Sequence, residues 1–129
     1  MTYYKQIYII NNDLKMGCGK IAAQTSHGTV LYMEYIDDFR RENELTEPVY
    51  LKWRNFDIYP IGTMTKIVLK ATESELNSLC NIMDKKFITY FKVFDLGKTQ
   101  VEAGSFTCVC VEPLDEVQCD ELFRHLKLL

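Results

Sequence analysis

The chain has 129 residues, is 47% hydrophobic, and carries a net charge of −3 from 15 basic and 18 acidic side chains. That size and apolar content suit one compact domain, residues 1–129, able to bury roughly two-thirds of its unfolded surface. The acidic balance argues against a generic nucleic-acid coat, although a focused basic rim is compatible with an acidic back. Cysteines stand at positions 18, 80, 108, 110 and 119, with neither a C-x-x-C pair nor a Cys/His zinc spacing. They read as free thiols in a reducing compartment, with no metal site. No apolar run approaches the length of a membrane span. The first strand starts within a few residues of Met1, leaving no room for a signal peptide. The cytoplasm is the expected location.

Ile7-Tyr8-Ile9-Ile10 is β-branched and aromatic, which predicts a buried first strand. Gly17 and Gly19 then break the pattern, and from Lys20 onward the residues suit a helix. Strand, glycine turn and helix leave free N–H groups at the helix start, a ready anion site. Lys20 sits where the helix dipole disfavours a cation by roughly 0.3–1 kcal/mol, so helix stability does not explain it. At about 3.6 residues per turn, Lys20, Gln24 and His27 are expected to share one face.

Ile21, Thr25, Gly28, Tyr32, Tyr35 and Phe39 recur at helical spacing and form a core stripe. Thr46-Glu47-Pro48 reads as an N-cap and a first-turn proline. Val49, Trp53 and Phe56 would be the apolar face of the short helix behind it, closed by Pro60 and Gly62. Met64 to Lys70 is a second strand. Thr72 and Glu75 have capping-box spacing ahead of a helix with Leu76, Leu79, Cys80 and Met83 on its inner face. Phe87 to Phe94 is a third strand. The connection Asp95 to Gly104 leads to a fourth strand, Ser105 to Glu112, with Cys108 and Cys110 on one face. Pro113 ends it, and a final helix begins near Asp115. This order predicts an α/β layered domain with a mostly parallel sheet of four strands. Ligands of such sheets bind beyond the carboxyl ends of the parallel strands. That rule brings the glycine turn and Asp95 together, and Lys20 with them.

Asp13-Leu14-Lys15-Met16-Gly17, Gly19-Lys20-Ile21-Ala22-Ala23-Gln24 and Ser26-His27 together resemble the signature of the archaeal and eukaryotic-type peptidyl-tRNA hydrolases. Three further blocks match in order. Lys66-Ile67-Val68-Leu69-Lys70 is similar to that family's second strand. Asp95-Leu96-Gly97-Lys98-Thr99-Gln100, with Gly104-Ser105 and Thr107, is similar to its D-x-G-x-T-Q…G-[ST]-x-T segment. His125-Leu126-Lys127-Leu128 resembles its closing H-L-K-L. The resemblance implies a three-layer α/β/α domain with a four-stranded mixed sheet, a homodimer, and hydrolysis of the ester joining a peptide to tRNA without a cofactor. It implies catalytic roles for Lys20, Asp95, Thr99 and Thr107. Substrate contacts would come from Lys15, Gly17, Gly19, Gln24, His27, Lys98, Gln100, His125 and Lys127. Asn11 and Cys18 depart from the pattern, standing where the family usually carries arginine and lysine.

The chemistry agrees with those residues. Ester hydrolysis needs a placed water, a group to accept or relay its proton, and donors for the developing oxyanion. Asp95 would orient water or hold Lys20, Lys20 and the helix start would stabilise negative charge, and Thr99 and Thr107 would offer hydroxyls. Two readings from other classes stand beside this one. Cys18 at a helix start could serve as a nucleophile with His27 as base, but about 13 Å of helix separates them at a rise of roughly 1.5 Å per residue. The other is a non-catalytic tRNA- or protein-binding module on the same fold.

Overall fold

A computed structural model describes residues 3–55, 63–96 and 102–129. The elements run β1 (Tyr4–Asn11), a 3-10 turn (Asn12–Leu14), α1 (Cys18–Asn43), α2 (Pro48–Arg54), β2 (Lys66–Ala71) and α3 (Glu73–Lys85). They continue with β3 (Tyr90–Phe94), β4 (Phe106–Val111), β5 (Leu114–Asp115), α4 (Glu116–Phe123) and β6 (Lys127–Leu128).

The layers follow from side-chain alternation along β1. Ile7 and Ile9 point to one side and pack with Leu76, Leu79 and Met83 of α3 and Leu122 and Phe123 of α4. Tyr8 points to the other side, against Tyr32 and Ile36 of α1 and Trp53 of α2, and Ile10 beside it meets Met16 and Val93. A strand buried on both faces is apolar throughout, which is why this stretch shows no polar alternation. The result is helices on both sides of a sheet, three layers in all.

Among the described residues the sheet has six strands, in the order β3-β4-β1-β2-β6, with β5 added to β1. The four expected strands are present. The two extra ones, β5 and β6, have two residues each, too few to leave any periodicity in the sequence. The expectation of a mostly parallel sheet is corrected: only β1 and β2 pair in parallel, and every other pairing is antiparallel. A parallel return needs a crossover of a dozen or more residues, usually a helix. The connection from Asp95 to Ser105 is too short for one, so β4 runs back against β3 and then against β1.

Boundaries moved for local reasons. Phe87 has φ 58° in the turn after α3, and Met64 has φ 44°, so β3 and β2 begin later than their apolar runs. Glu47 is the N-cap of α2, accepting from the Tyr50 N–H at 2.8 Å with Pro48 in the first turn. Phe56, Pro60 and Gly62 lie outside the described residues. The capping box of Thr72 and Glu75 is formed at α3.

Two details position the site. A Cβ on Gly28 would lie 2.8 Å from the Cβ of Cys110, so glycine is what lets α1 settle against β4. On β4, Val93 opposes Cys108 while Phe94 opposes Phe106, which leaves Thr107 as an extra, bulged residue. In a regular strand Thr107 would share the side of Val109 and Val111. The bulge gives that place to Phe106 and turns Thr107 toward α1.

Candidate active site at the carboxyl edge of the sheet

β1, β2 and β3 run in the same direction, so Asn11, Ala71 and Phe94 end at one edge, where α1 and β4 begin. Asn11 is buried and pins this edge. Its Nδ2 donates to the Phe106 carbonyl at 2.8 Å and to the Glu73 carboxylate at 3.1 Å. Its side chain also accepts from the Asp13 N–H at 3.1 Å, and the Asp13 carboxylate accepts from the Glu73 N–H at 3.0 Å. Lys15 follows in a left-handed conformation with φ 51°. Gly17 then caps α1 without a side-chain bond, and the helix's first turn contains no acid. A Cβ on Gly19 would meet nothing within 4 Å, so this glycine is not required by packing and leaves the helix start sterically open.

Lys20, in that first turn, donates from its ammonium to the Asp95 carboxylate; their side chains are 8% and 6% exposed. Asp95 follows β3 directly. Its N–H donates to the Ser105 carbonyl at 2.9 Å and its carbonyl accepts from Gly104, whose φ of 80° suits glycine. Burying two charges costs several kcal/mol per ion before their attraction is counted, so such a pair is a poor device for stability.

One turn along α1, Gln24 is buried beside the Thr107 hydroxyl at 2.7 Å, and that hydroxyl lies 3.0 Å from the Val93 carbonyl. The two polar pairs are neighbours: Lys20 with Asp95, and Gln24 with Thr107 and Val93. They sit one turn apart on the helix, and Asp95, just past β3, is two residues on from Val93. Thr107 is 0% exposed, so its hydroxyl is out of a substrate's reach.

His27 does not join them. The buried stripe of α1 runs Gln24, Gly28, Tyr32, Ile36. Each step of four residues shifts it by about 40° around the helix, which leaves His27 exposed. Its separation from Cys18 along one continuous helix also removes the thiol–imidazole pair. Cys108 and Cys110 are pushed up to about 12 by burial, and Cys119 to about 11, so these thiols are inert. No group of three or more metal-ligating side chains is found among the described residues, nor is any described helix long and apolar enough to cross a membrane.

His125 and Lys127 lie elsewhere. β6 is separated from β3 by four strand spacings of roughly 4.8 Å each. There, with Asn12, Lys70 and Thr72, they line a cleft of about 240 Å³. Lys70 and Lys127 are direct cross-strand partners, and neither is in an ion pair among the described residues. Lys98, Thr99 and Gln100 lie outside the described residues. Sequence reasoning missed Asn11 as the pin, Lys70, and the bulge. Only Lys70 left a signal, as a charged residue directly after the apolar run Ile67-Val68-Leu69.

A buried acid–cation pair beside an open helix start, at the carboxyl edge of an α/β sheet, suits hydrolysis by water. The comparisons name the family. Residues 4–129 match the family described as Peptidyl-tRNA hydrolase PTH2, and the chain belongs to it. It is 34% identical to the peptidyl-tRNA hydrolase of Methanothermobacter thermautotrophicus over 97% of this chain and 99% of that protein. It is 32% identical to the probable peptidyl-tRNA hydrolase 2 of Drosophila melanogaster over 98% of this chain and 62% of that protein. It is 35% identical to the mitochondrial peptidyl-tRNA hydrolase 2 of Bos taurus over 97% of this chain and 64% of that protein.

Proposed function

We propose that this chain, acting as one domain over residues 1–129, hydrolyses the ester between tRNA and a peptide or N-blocked aminoacyl group, freeing the tRNA for reuse. The observation that carries this reading is the buried Lys20–Asp95 pair at the start of α1. Asp95 orients the attacking water and takes up its proton. Lys20 and the amides of the first turn stabilise the oxyanion that forms on the ester carbon's oxygen. Water adds to that carbon, the bond to the ribose oxygen breaks, and the proton passes to the departing ribose. Thr99 positions the water or the ribose, a role that rests on family resemblance, and Gln100 contacts the substrate on the same ground.

Gly17 and Gly19 keep the approach to the helix start open. Lys15, His27, Lys98, His125 and Lys127 contact the tRNA and supply affinity without chemistry. The reaction needs no cofactor, and the enzyme works as a homodimer in the cytoplasm; sedimentation showing only monomer at micromolar concentration would remove the dimer. The decisive experiment is release of an N-acetylated amino acid from its tRNA. Turnover by the wild-type chain, lost in Lys20→Met while tRNA is still bound, is the expected result. Binding without release by the wild type would instead make the chain a tRNA-binding module.

A further inference from the structure

Thr107 has one hydroxyl proton, yet its Oγ1 lies within hydrogen-bond distance of two acceptor positions: the Gln24 amide at 2.7 Å and the Val93 carbonyl at 3.0 Å. A peptide carbonyl can only accept. If the proton goes to a Gln24 oxygen, Thr107 and Val93 face each other lone pair to lone pair, in a place with no solvent to relieve them. The two ends of a carboxamide have nearly the same shape, and the surrounding hydrogen bonds are what assign oxygen and nitrogen. Turning the Gln24 amide end for end makes both contacts bonds. Nε2 then donates to Thr107 Oγ1, and the Thr107 hydroxyl donates to Val93.

We infer that Gln24 is held in this turned orientation by Thr107, so that it presents its carbonyl oxygen, an acceptor, to the site beside Lys20 and Asp95. The outward end of the amide has no protein partner among the described residues, which leaves its hydrogen-bonding capacity to a ligand. On the hydrolytic reading above, on which this role rests, that oxygen accepts a hydrogen bond from one O–H of the attacking water while Asp95 takes the proton of the other. An amide facing the site nitrogen-first would be an oxyanion donor; facing oxygen-first it cannot be. The oxyanion is left to Lys20 and the helix start. Thr107 becomes a positioning residue, acting through Gln24 from behind, and the bulge on β4 is what aims it there.

Two measurements on the full chain test this. In 15N-labelled protein the Gln24 side-chain NH₂, identified by its loss in Gln24→Met, should exchange with solvent at least about tenfold more slowly than a free glutamine amide. Thr107→Val should abolish that protection and Thr107→Ser should keep it. In the hydrolysis assay, Gln24→Met and Thr107→Val should each lower kcat about 10- to 100-fold with KM within about threefold. Thr107→Ser should stay within about threefold of wild type, and the Gln24→Met/Thr107→Val double variant should be no worse than the poorer single. Free-amide exchange in the wild type, or losses that multiply in the double variant, would overturn the assignment. Were the wild type to release nothing from tRNA, the hydrolytic reading would fail, and the exchange rates would still decide which end of Gln24 faces the site.

Discussion

Each end of β4 has an acid drawn in from solvent, and the two are treated differently. At its start, Asp95 donates its N–H to Ser105 at 2.9 Å; at its end, Glu112 donates its N–H to Thr89 at the same distance. The backbone roles are alike, but the side chains are not. Asp95 receives the ammonium of Lys20. Glu112 receives the Thr89 N–H at 3.0 Å, and burial, with some help from Glu47, pushes its carboxyl above the ordinary range. Among the described residues, the acid is paired with a cation only at the end where the helix start is open. A carboxyl that merely closes a turn is left to a single amide, with burial pushing its pKa upward.

The largest effects should come from removing that cation. Lys20→Met and Asp95→Asn are each expected to lower kcat by at least ~100-fold, the scale of a lost general catalyst or oxyanion donor, with circular dichroism remaining native. Their stabilities should part company. Lys20→Met takes the ammonium away from a buried carboxylate, a loss of up to about 3–5 kcal/mol in such cases, whereas removing both charges together with Lys20→Met/Asp95→Leu should restore most of it. A double variant as stable as wild type and fully inactive would show that the pair is kept for chemistry. Retained turnover in either single variant would sink the mechanism.

Gly28→Ala asks whether the two ends of β4 depend on the same packing. The added Cβ meets the Cys110 Cβ at 2.8 Å, and overpacking of this kind costs typically about 1–3 kcal/mol. Thermal unfolding should register that loss. Because α1 carries Lys20 and Gln24, kcat should fall with it, while hydrogen exchange at the Glu112 end should change less. Equal loosening at both ends would count against α1 as the element that holds the site.

Much of this was legible in the chain. The buried first strand, the glycine turn, the capping box at Thr72 and the meeting of Lys20 with Asp95 all follow from local chemistry and one rule about strand ends. The direction of β4 did not, because the strand pattern of Ser105 to Glu112 is the same whichever way it runs. The bulge was equally silent: Phe106-Thr107-Cys108-Val109 reads as ordinary strand, and the extra residue appears only in the register with β3. His27 misled because a strict seven-residue step places it over Lys20, whereas packing on a twisted sheet follows four-residue steps.

The comparison extends to cations. Lys20 is buried and paired, while Lys70 and Lys127 are cross-strand partners on β2 and β6 with no ion pair among the described residues, although Glu75 lines the same cleft; two like charges opposite each other cost the fold a little. If they meet phosphates, Lys70→Ala and Lys127→Ala should each raise KM severalfold at low salt, leave kcat near wild type, and reduce the salt slope of binding by roughly 0.7–0.9. Salt plots parallel to wild type would place these lysines off the tRNA path.

The smallest effect should come from the other acid, and its sign is fixed by the direction of the shift. Burial, set against the Thr89 amide, raises the Glu112 carboxyl in the folded chain. The folded state therefore holds this proton more tightly than the unfolded one. The resulting stabilisation is complete below the unfolded value, about 4.3 for a glutamate, and is lost as pH rises through the folded value. Glu112→Gln keeps an oxygen for the Thr89 N–H and removes the titration. Its melting temperature should sit close to wild type near pH ~4 and move above it as the pH approaches ~7. Glu47→Gln should narrow that gap, since Glu47 adds to the upward shift. The same two acids flank the Tyr32 hydroxyl, which is buried without a hydrogen-bond partner among the described residues and raised first by burial and then by Glu47 and Glu112. A gap opening in the opposite direction would mean that Glu112 is stabilised as a carboxylate, and the contrast between the two ends of β4 would collapse.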